Sequence, residues 1–263
     1  MKIVVLLKQT PDTEAKMTIH ADGKSIEMNG VKKIVNPYDE FAIEEALKIK
    51  QNIGAGEVII ASFGSPDTKE RILRGLAMGA DRGILISHEG LENCDAFVVS
   101  KVLSELIKSE NAELVLCGKQ AIDDDNMHVI GMTAEFLDWP HINVVSKVDV
   151  NEKKARVERE VEGGQIEVYE VELPVILGAN KSLNSPRYAS VPGIMKAKKK
   201  PFEMKKPQDF SLDINQLISE SKTEFVAFEM PPEKPAGKLF KDEPVEVMVD
   251  QVVKLLREEA KIL

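Results

Sequence analysis

The sequence predicts an α/β protein whose central sheet is doubly wound and mostly parallel. Three observations support this prediction. Short apolar runs with the length of buried strands recur along the first half of the chain. Segments with helical periodicity alternate with these runs, as the crossover connections of a parallel sheet require. After Pro140, extended structure replaces the alternation, which predicts a β-hairpin added to the sheet.

The predicted elements alternate regularly up to Pro140. Apolar runs predict the strands, and apolar residues at spacings of three and four predict the helices. The predicted strands lie at 2–7, 57–63, 82–87 and 114–117, and the predicted helices lie at 41–52, 67–80, 94–109 and 127–137.

The hairpin is predicted at 147–178. Gly163-Gly164 provides its turn, since paired glycines favour the left-handed conformations of tight hairpin turns. The alternation of apolar residues slips at Tyr169, so we expect a β-bulge there.

The C-terminal part is predicted to be an extended arm that ends in a helix. Residues 201–243 have little periodicity and many prolines, and 244–260 form an amphipathic helix. Residues 179–200 are expected to form a loop. We therefore predict a nucleotide-binding domain at 1–200, containing the hairpin and a loop at 183–200, and an arm with its helix at 201–263.

Composition argues against several classes of function. The 263 residues carry a formal net charge of −9, which argues against nucleic-acid binding by bulk electrostatics. No apolar run approaches the roughly 20 residues that span a bilayer, so no membrane insertion is expected. Cys94 and Cys117 lie far apart without metal-site spacing, which favours a cytoplasmic protein with buried thiols.

A candidate ligand-binding loop follows the predicted strand at 114–117. Gly118 ends the strand, three aspartates occupy 123–125, and Asn126 is predicted to cap the next helix. Ligands of open parallel sheets bind outside the carboxyl ends of strands, where a helix N-terminus offers free amides to a phosphate. The alternative is an ordinary connection, because neither a glycine triplet nor a P-loop signature is present.

We find no catalytic constellation in the sequence. The histidines, at positions 20, 88, 128 and 141, are scattered without an obvious partner. The three adjacent aspartates favour a solvated or capping loop over a Mg²⁺ site, because neighbouring acids cannot all face one ion. The six lysines between 196 and 206 indicate either a solvated face or an electrostatic docking patch.

Three blocks of the sequence resemble the β subunit of electron-transfer flavoproteins. The first is Asn36-Pro37-Tyr38 followed by Ala42-Ile-Glu-Glu-Ala46. The second is Gly118-Lys-Gln-Ala-Ile-Asp-Asp-Asp125 with Met132-Thr-Ala134 and Phe136-Leu-Asp-Trp-Pro140. The third joins Val157-Glu-Arg-Glu160 and Gly163-Gly164 to the long run Pro186-Arg-Tyr-Ala-Ser-Val-Pro-Gly-Ile-Met-Lys-Ala-Lys-Lys-Lys200. The resemblance spans 1–206 and extends more loosely into the tail.

This resemblance implies an electron carrier without catalytic residues. In that family the β subunit has a Rossmann-like domain that binds a structural AMP and covers one side of a redox FAD. An α subunit holds most of the FAD. The heterodimer carries electrons from acyl-CoA dehydrogenases of fatty acid β-oxidation, or similar flavoenzymes, to a quinone oxidoreductase or another acceptor.

The resemblance also implies site residues. Tyr38 is expected near the flavin, and the alternative is a tyrosine that simply starts a helix. Val191 takes the place of the apolar anchor, usually leucine, that recognises partner dehydrogenases. The implied AMP contacts are Leu6, Asn36, Phe63, Ala121, Asp124, Met127, His128 and Val129, with Asn126 as a cap. The implied partner contacts are Arg187, Tyr188, Val191, Pro192, Ile194, Met195 and Lys196.

The sequence departs from the family after Asp125. The family has a glutamine, a small or β-branched residue and a glycine where this chain has His128-Val129-Ile130. Isoleucine does not permit the close backbone approach that glycine allows, so we expect an altered phosphate site. AMP is the favoured ligand, and a second FAD, as in flavin-bifurcating members, or an empty pocket are the alternatives. A nucleotide-hydrolysing α/β enzyme is disfavoured because no P-loop is present.

Overall fold

The computed structural model describes residues 1–151, 153–233 and 236–263. These residues form two compact units, at 1–228 and 229–263. The larger unit contains the central sheet and its covering helices, and the smaller unit contains the C-terminal helix.

Strands and helices alternate through the first half of the chain, as expected. The strands are β1 (Lys2–Leu6), β2 (Gln9–Pro11), β3 (Thr18–Ile19), β4 (Ile26–Glu27), β5 (Lys33–Val35), β6 (Glu57–Gly64), β7 (Arg82–Ser87), β8 (Leu114–Gly118), β9 (His141–Val150), β10 (Lys154–Glu160), β11 (Ile166–Glu172), β12 (Val175–Ala179) and β13 (Phe202–Lys205). The helices are α1 (Pro37–Ile53), α2 (Lys69–Met78), α3 (Ala96–Glu110), α4 (His128–Leu137), α5 (Val191–Ala197), α6 (Ile214–Glu220) and α7 (Val245–Glu258).

The central sheet is mostly parallel. In the described chain its strand order is β11-β10-β9-β12-β8-β1-β6-β7-β13. All neighbours from β9 to β13 pair in parallel, and β10 pairs antiparallel with both β9 and β11. The strands between β1 and α1 in the sequence form two small antiparallel sheets, β2-β5 and β3-β4. The predicted doubly wound, Rossmann-like fold is therefore confirmed.

Two cores enclose the sheet. Along β1, Ile3 and Val5 belong to the core that contains the apolar residues of α1 and α2. Val4 and Leu6 belong to the opposite core, which contains those of α3 and α4. Because helices cover both faces, the inner strands need apolar residues at consecutive positions, and this explains their unbroken apolar runs.

The hairpin forms as predicted, but the predicted bulge was wrong. Gly163 and Gly164 have φ of 76° and 74° at the turn. Tyr169 pairs with Val157 in an uninterrupted antiparallel register. The irregularity lies instead in the pairing of β10 with β9, between Glu158 and Arg159. Side chains of the edge strand β11 are largely exposed, so their apolar pattern does not report the register.

Two further expectations about loops were wrong. Residues 202–205 form β13, which pairs in parallel with β7 at the edge of the sheet, and α6 follows within the region predicted to lack structure. Residues 191–197 form the short helix α5 inside the expected loop. An edge strand that is held by backbone hydrogen bonds and a helix of two turns leave little periodicity in a sequence.

The C-terminal helix was predicted correctly. Helix α7 covers most of the range expected for it, and none of its residues is buried within the described chain. Among the helices of the described residues, none has the length and apolar character needed to cross a bilayer.

Candidate functional site

The order of the strands creates a crevice between β1 and β8. From β1 the chain proceeds outward through β6 and β7, and it then crosses back to β8 on the opposite side of β1. Connections leave β1 and β8 in opposite directions at such a switch point, which opens a crevice at their carboxyl ends. The predicted loop after Gly118 therefore lies where doubly wound proteins bind ligands.

A buried carboxylate joins the elements that meet at this crevice. Asp39 lies in the first turn of α1 and accepts hydrogen bonds from the backbone N–H of Lys8 at 2.7 Å and of Gly118 at 2.9 Å. It also accepts from Nδ2 of Asn36 at 2.9 Å. Burial raises the pKa of Asp39 to about 7, while the three N–H donors favour its charged form.

Gly118 permits this arrangement because it has no side chain. A Cβ at this position would lie 2.5 Å from Oδ1 of Asp39 and 2.5 Å from the Cβ of Tyr38. The first turn of α1 can therefore pack directly against the end of β8. Pro37 starts this turn at the position where its missing N–H has no cost, four residues before the predicted start of the helix.

Asn36 connects the same turn to the loop after β8. Its side chain donates to the carbonyl oxygen of Gln120 at 2.9 Å and accepts from the N–H of Ile122 at 3.3 Å. Asn36 is only 1% exposed, and its own backbone N–H donates to the carbonyl oxygen of Lys8 at 2.9 Å. These bonds show Asn36 shaping the loop, and an additional contact with a nucleotide stays a prediction.

Two of the adjacent aspartates form an ion pair with Lys8. Nζ of Lys8 lies 2.7 Å from Asp123 and 3.0 Å from Asp124. Burial opposes the charged ammonium, but the two carboxylates raise the pKa of Lys8 above its usual value. Lys8 thus holds the outer part of the loop to the end of β1, as Asn36 holds the inner part.

The N-terminus of α4 presents amides toward the loop. The N-cap position is Met127, with a left-handed φ of 58°, and not the expected Asn126. Asn126 still contributes, because its Oδ1 accepts from the N–H of His128 at 3.0 Å. Within the described residues, the N–H groups of Met127 and Val129 donate to no protein acceptor. These two N–H groups can therefore donate to an anion, which the positive end of the helix dipole also stabilises.

Ile130, which stands where the family has a glycine, turns its side chain away from the loop, and the expected alteration of the phosphate site stays a prediction. It belongs to the helical part of α4, and its side chain is buried in the core with Cys117 and Ala134. Its Cδ1 approaches Gly178 so closely that a Cβ there would lie 2.7 Å away. The isoleucine side chain therefore fills space beneath the helix.

The remaining predicted nucleotide contacts lie at the same edge of the sheet. Leu6 ends β1, Phe63 lies near the end of the adjacent β6, and Ala121 lies in the loop after β8. The Phe63 ring packs edge-on against His88, with centroids 6.0 Å apart, and burial lowers the pKa of that histidine. The structure thus brings together at one edge residues that are distant in sequence.

Tyr38 lies in the first turn of α1, beside this loop. The structure therefore has the tyrosine start the helix, as the alternative expected, and its nearness to a flavin stays a prediction. Nζ of Lys119 lies 5.2 Å from the centroid of the Tyr38 ring, a cation–π contact. Nδ2 of Asn143 donates to the carbonyl oxygen of Lys119 at 3.2 Å and holds the loop from the side of β9.

Sequence reasoning missed four residues that build the site. Asp39 resembles any acid in a first helical turn, and Lys8 resembles any surface lysine. Asn143 and Val144 form an irregularity in the pairing of β9 with β12, and Val144 has a φ of 61°, which is rare for a β-branched residue. The one sequence signal near these residues is the Asn36-Pro37 pair. A proline at the first helical position marks the start of a helix, and Asp39 lies in the first turn of that helix.

The predicted partner-binding segment presents apolar side chains to solvent. In α5, Val191 is 73% exposed and Met195 is 69% exposed, and Tyr188 before it is 94% exposed. Oγ of Ser190 accepts from the N–H of Gly193 at 3.1 Å and caps the helix. Pro192, Ile194 and Lys196 belong to the same helix.

Three polar anchors hold this segment on α1 and α2. The guanidinium of Arg187 donates twice to the largely buried Glu44, at 2.7 and 2.9 Å, and the backbone N–H of Arg187 donates to it at 3.1 Å. Nδ2 of Asn184 donates to Glu45 at 2.8 Å. Nζ of Lys200 donates to two carbonyl oxygens at the end of α2, those of Leu76 at 2.9 Å and Ala80 at 2.5 Å. Arg187 and Lys200 therefore act here as anchors, while Lys196, Lys198 and Lys199 are exposed.

Comparisons with known proteins point to one family. The model described as "Electron transfer flavoprotein domain" matches residues 24–209. The "Electron transfer flavoprotein subunit beta" of Bacillus subtilis (strain 168) is 40% identical over 264 residues, covering 100% of both chains. The Homo sapiens protein of that name is 40% identical over 257 residues, covering 97% of this chain and 96% of its own. That of Syntrophomonas wolfei is 38% identical over 262 residues, covering 100% and 98%.

Proposed function

The chain belongs to the electron transfer flavoprotein family as a homologue of its beta subunits, and we propose that it pairs with an α subunit to carry electrons between flavoenzymes. The observation that carries this proposal is the crevice between β1 and β8, bounded by a tightly held loop, within a chain that matches beta subunits over its length. The subunit is then an electron carrier that needs no acid, base or nucleophile. The cytoplasmic location expected from the sequence stays a prediction.

The nucleotide that we propose for the crevice is AMP. The amides of Met127 and Val129 offer two donors at a helix N-terminus, which suits a single phosphate. Lys8 offsets the charge of two aspartates that would otherwise repel the anion. The partly exposed Phe63 provides apolar surface for a base near the end of β6, and the largely buried Leu6 ends the neighbouring strand β1. AMP contributes no redox chemistry, so its role would be to order this edge of the sheet.

The flavin that we propose is FAD held mainly by the α subunit, with Tyr38 of this chain beside it. FAD, when bound, supplies the electron acceptance and donation. The residues of this chain position one side of it and exclude water. Tyr38 suits that role because its backbone is locked between Pro37, the Asp39 hydrogen bonds and the close approach of Gly118.

The proposed donors are acyl-CoA dehydrogenases or similar flavoenzymes, and the proposed acceptor is a quinone oxidoreductase. The exposed apolar residues of α5 beside three exposed lysines support docking of an acidic partner surface with an apolar pocket. This arrangement favours fast, reversible encounters, as electron carriers require.

A count of nucleotides tests the proposal. The chain is co-expressed with its α subunit, the complex is purified and denatured, and the released nucleotides are identified. One FAD and one AMP per heterodimer would support the proposal. Two FAD and no AMP would instead establish the bifurcating type. Failure to pair with an α subunit would overturn the whole assignment.

A further inference from the structure

We propose that Asp39 is a positioning residue that holds the nucleotide-binding loop in shape from beneath, together with Asn36. The proposal deepens the proposed function, because it rests on the crevice between β1 and β8 being the nucleotide site. Asp39 itself does not contact the nucleotide. It acts through the backbone of β1 and β8 and through Asn36, which in turn holds residues 120–122 of the loop.

The partners of Asp39 distinguish it from a helix cap. A capping acid bonds the free amides of its own helix, whereas Asp39 bonds the N–H groups of Lys8, two residues after β1, and of Gly118, the last residue of β8. The residues so joined are 31 and 79 positions away in sequence. The main role of the carboxylate is therefore to hold α1, the chain after β1 and the end of β8 together, and not to stabilise α1 itself.

The hydrogen-bond partners of Asp39 favour a carboxylate over a neutral side chain at position 39. Oδ1 accepts from Asn36 and Gly118, and Oδ2 accepts from Lys8. All three partners are donors, so a protonated carboxyl or an amide would place hydrogen against hydrogen at one of them. Burying a charge is costly unless it is fully hydrogen-bonded, and here three donors and the N-terminus of α1 compensate it.

The loop depends on this group through Asn36. Asn36 can donate to Gln120 only if its amide is oriented, and Asp39 orients it by accepting from the same nitrogen. In the described chain, Lys8, two residues after β1, and the Cys117 thiol of β8 are the titratable groups that interact electrostatically with Asp39. The Lys8 ammonium forms ion pairs with Asp123 and Asp124. The loop therefore has an outer attachment through Lys8 and an inner attachment through Asn36.

The test compares Asp39→Asn with Glu45→Gln in the complex with the α subunit. Glu45 is a buried carboxylate of the same helix that bonds Asn184 and Lys48, away from the crevice. Amide hydrogen exchange of residues 119–127 is measured without added nucleotide, and AMP binding is titrated separately. In D39N we expect about tenfold faster exchange in the loop and about tenfold weaker AMP binding. In E45Q we expect neither change.

A pH profile separates positioning from a general loss of stability. Because the pKa of Asp39 is raised to about 7, the wild-type carboxylate gains a proton as the pH falls from 8 to 6, and AMP affinity should fall with it. D39N has no proton to gain at this position, so its affinity should be lower at pH 8 and change less. Titration of the AMP phosphate affects both proteins alike and cancels in the comparison.

Two outcomes would overturn the proposal. One is a D39N complex that melts earlier but keeps wild-type loop exchange and AMP affinity. The other is a loop loosened equally by E45Q. If D39N does not fold, Asn36→Ala removes the inner attachment of the loop and one of the three donors to Asp39 while keeping the carboxylate, and it should reproduce the faster exchange. If the wild-type complex binds no AMP, the proposed ligand is wrong, and hydrogen exchange still decides the role of Asp39.

Discussion

At the scale of single residues, the crevice depends on tightly packed and fully hydrogen-bonded side chains. Asp39 and Asn36 use their polar atoms to join the strand ends to the loop, and Gly118 leaves the space in which they do so. Close packing and a complete set of hydrogen bonds therefore coincide at one point. Substitutions here should disturb ligand binding before they disturb the rest of the fold.

Gly118→Ala should destabilise the protein by about 1–3 kcal/mol, because the new methyl group overlaps Asp39 and Tyr38. Gly131→Ala is the matched control, since its nearest neighbour is His141 at 3.6 Å and alanine favours the helix. Urea unfolding of both variants measures the difference. Equal stability of the two variants would contradict the packing seen at Gly118.

At the scale of elements, the segment around α5 uses different residues to attach itself to the domain and to present a docking surface. Its residues Val191, Ile194 and Met195 and three of the nearby lysines face solvent, while Lys200 turns back to the end of α2. Burial lowers the pKa of Lys200, and the two carbonyl oxygens and the negative end of the helix dipole compensate its charge. A run of lysines that is uniform in sequence thus contains members with different roles.

Val191→Ala should slow electron transfer from the donor dehydrogenase, because a small interface depends on its central apolar anchor, with a loss on the order of 1–3 kcal/mol in binding. The flavin content should not change. Val168→Ala is the control, since Val168 is exposed on the hairpin. Stopped-flow reduction of the heterodimer by the dehydrogenase provides the measurement. A loss of flavin in V191A would show that Val191 supports the fold instead.

Lys200→Met should lower the free energy of unfolding by about 1–3 kcal/mol, because it leaves the carbonyl oxygens of Leu76 and Ala80 without their donor. Lys199→Met removes an exposed charge and should change stability by less than about 0.5 kcal/mol. The second variant should instead reduce the association rate with the dehydrogenase at low salt. Denaturant unfolding and the salt dependence of the rate distinguish the two; identical behaviour would refute the division of roles.

At the scale of the whole molecule, the C-terminal unit lacks a core of its own in the described chain. Helix α7 has no buried residue, and Val245, Val249 and Val252 on it are exposed. In the described part of the segment before it, at 221–233 and 236–244, Phe225 and Met230 are exposed and no helix or strand forms. Apolar surface of this extent requires a covering partner, and the α subunit is the one we propose.

Limited proteolysis should therefore cut the free chain between residues 221 and 244 and spare the heterodimer. Ordering an unsupported segment costs conformational entropy that only burial on a partner can offset. Peptides from β6 and β7 serve as the internal control, because these buried strands should resist cleavage in both samples. A free chain whose tail resists the protease as well as these strands would contradict obligate pairing.

The sequence by itself determined the fold class, because buried parallel strands and amphipathic helices each leave a local periodic pattern. It also determined the hairpin turn at Gly163-Gly164 and the family, through motifs of contiguous residues. Only the tertiary structure decided how Asp39 bonds Lys8 and Gly118, how β13 joins the edge of the sheet, and where the side chain of Ile130 points. These features depend on contacts between residues distant in sequence or on backbone pairing at an edge, and neither produces a pattern along the chain.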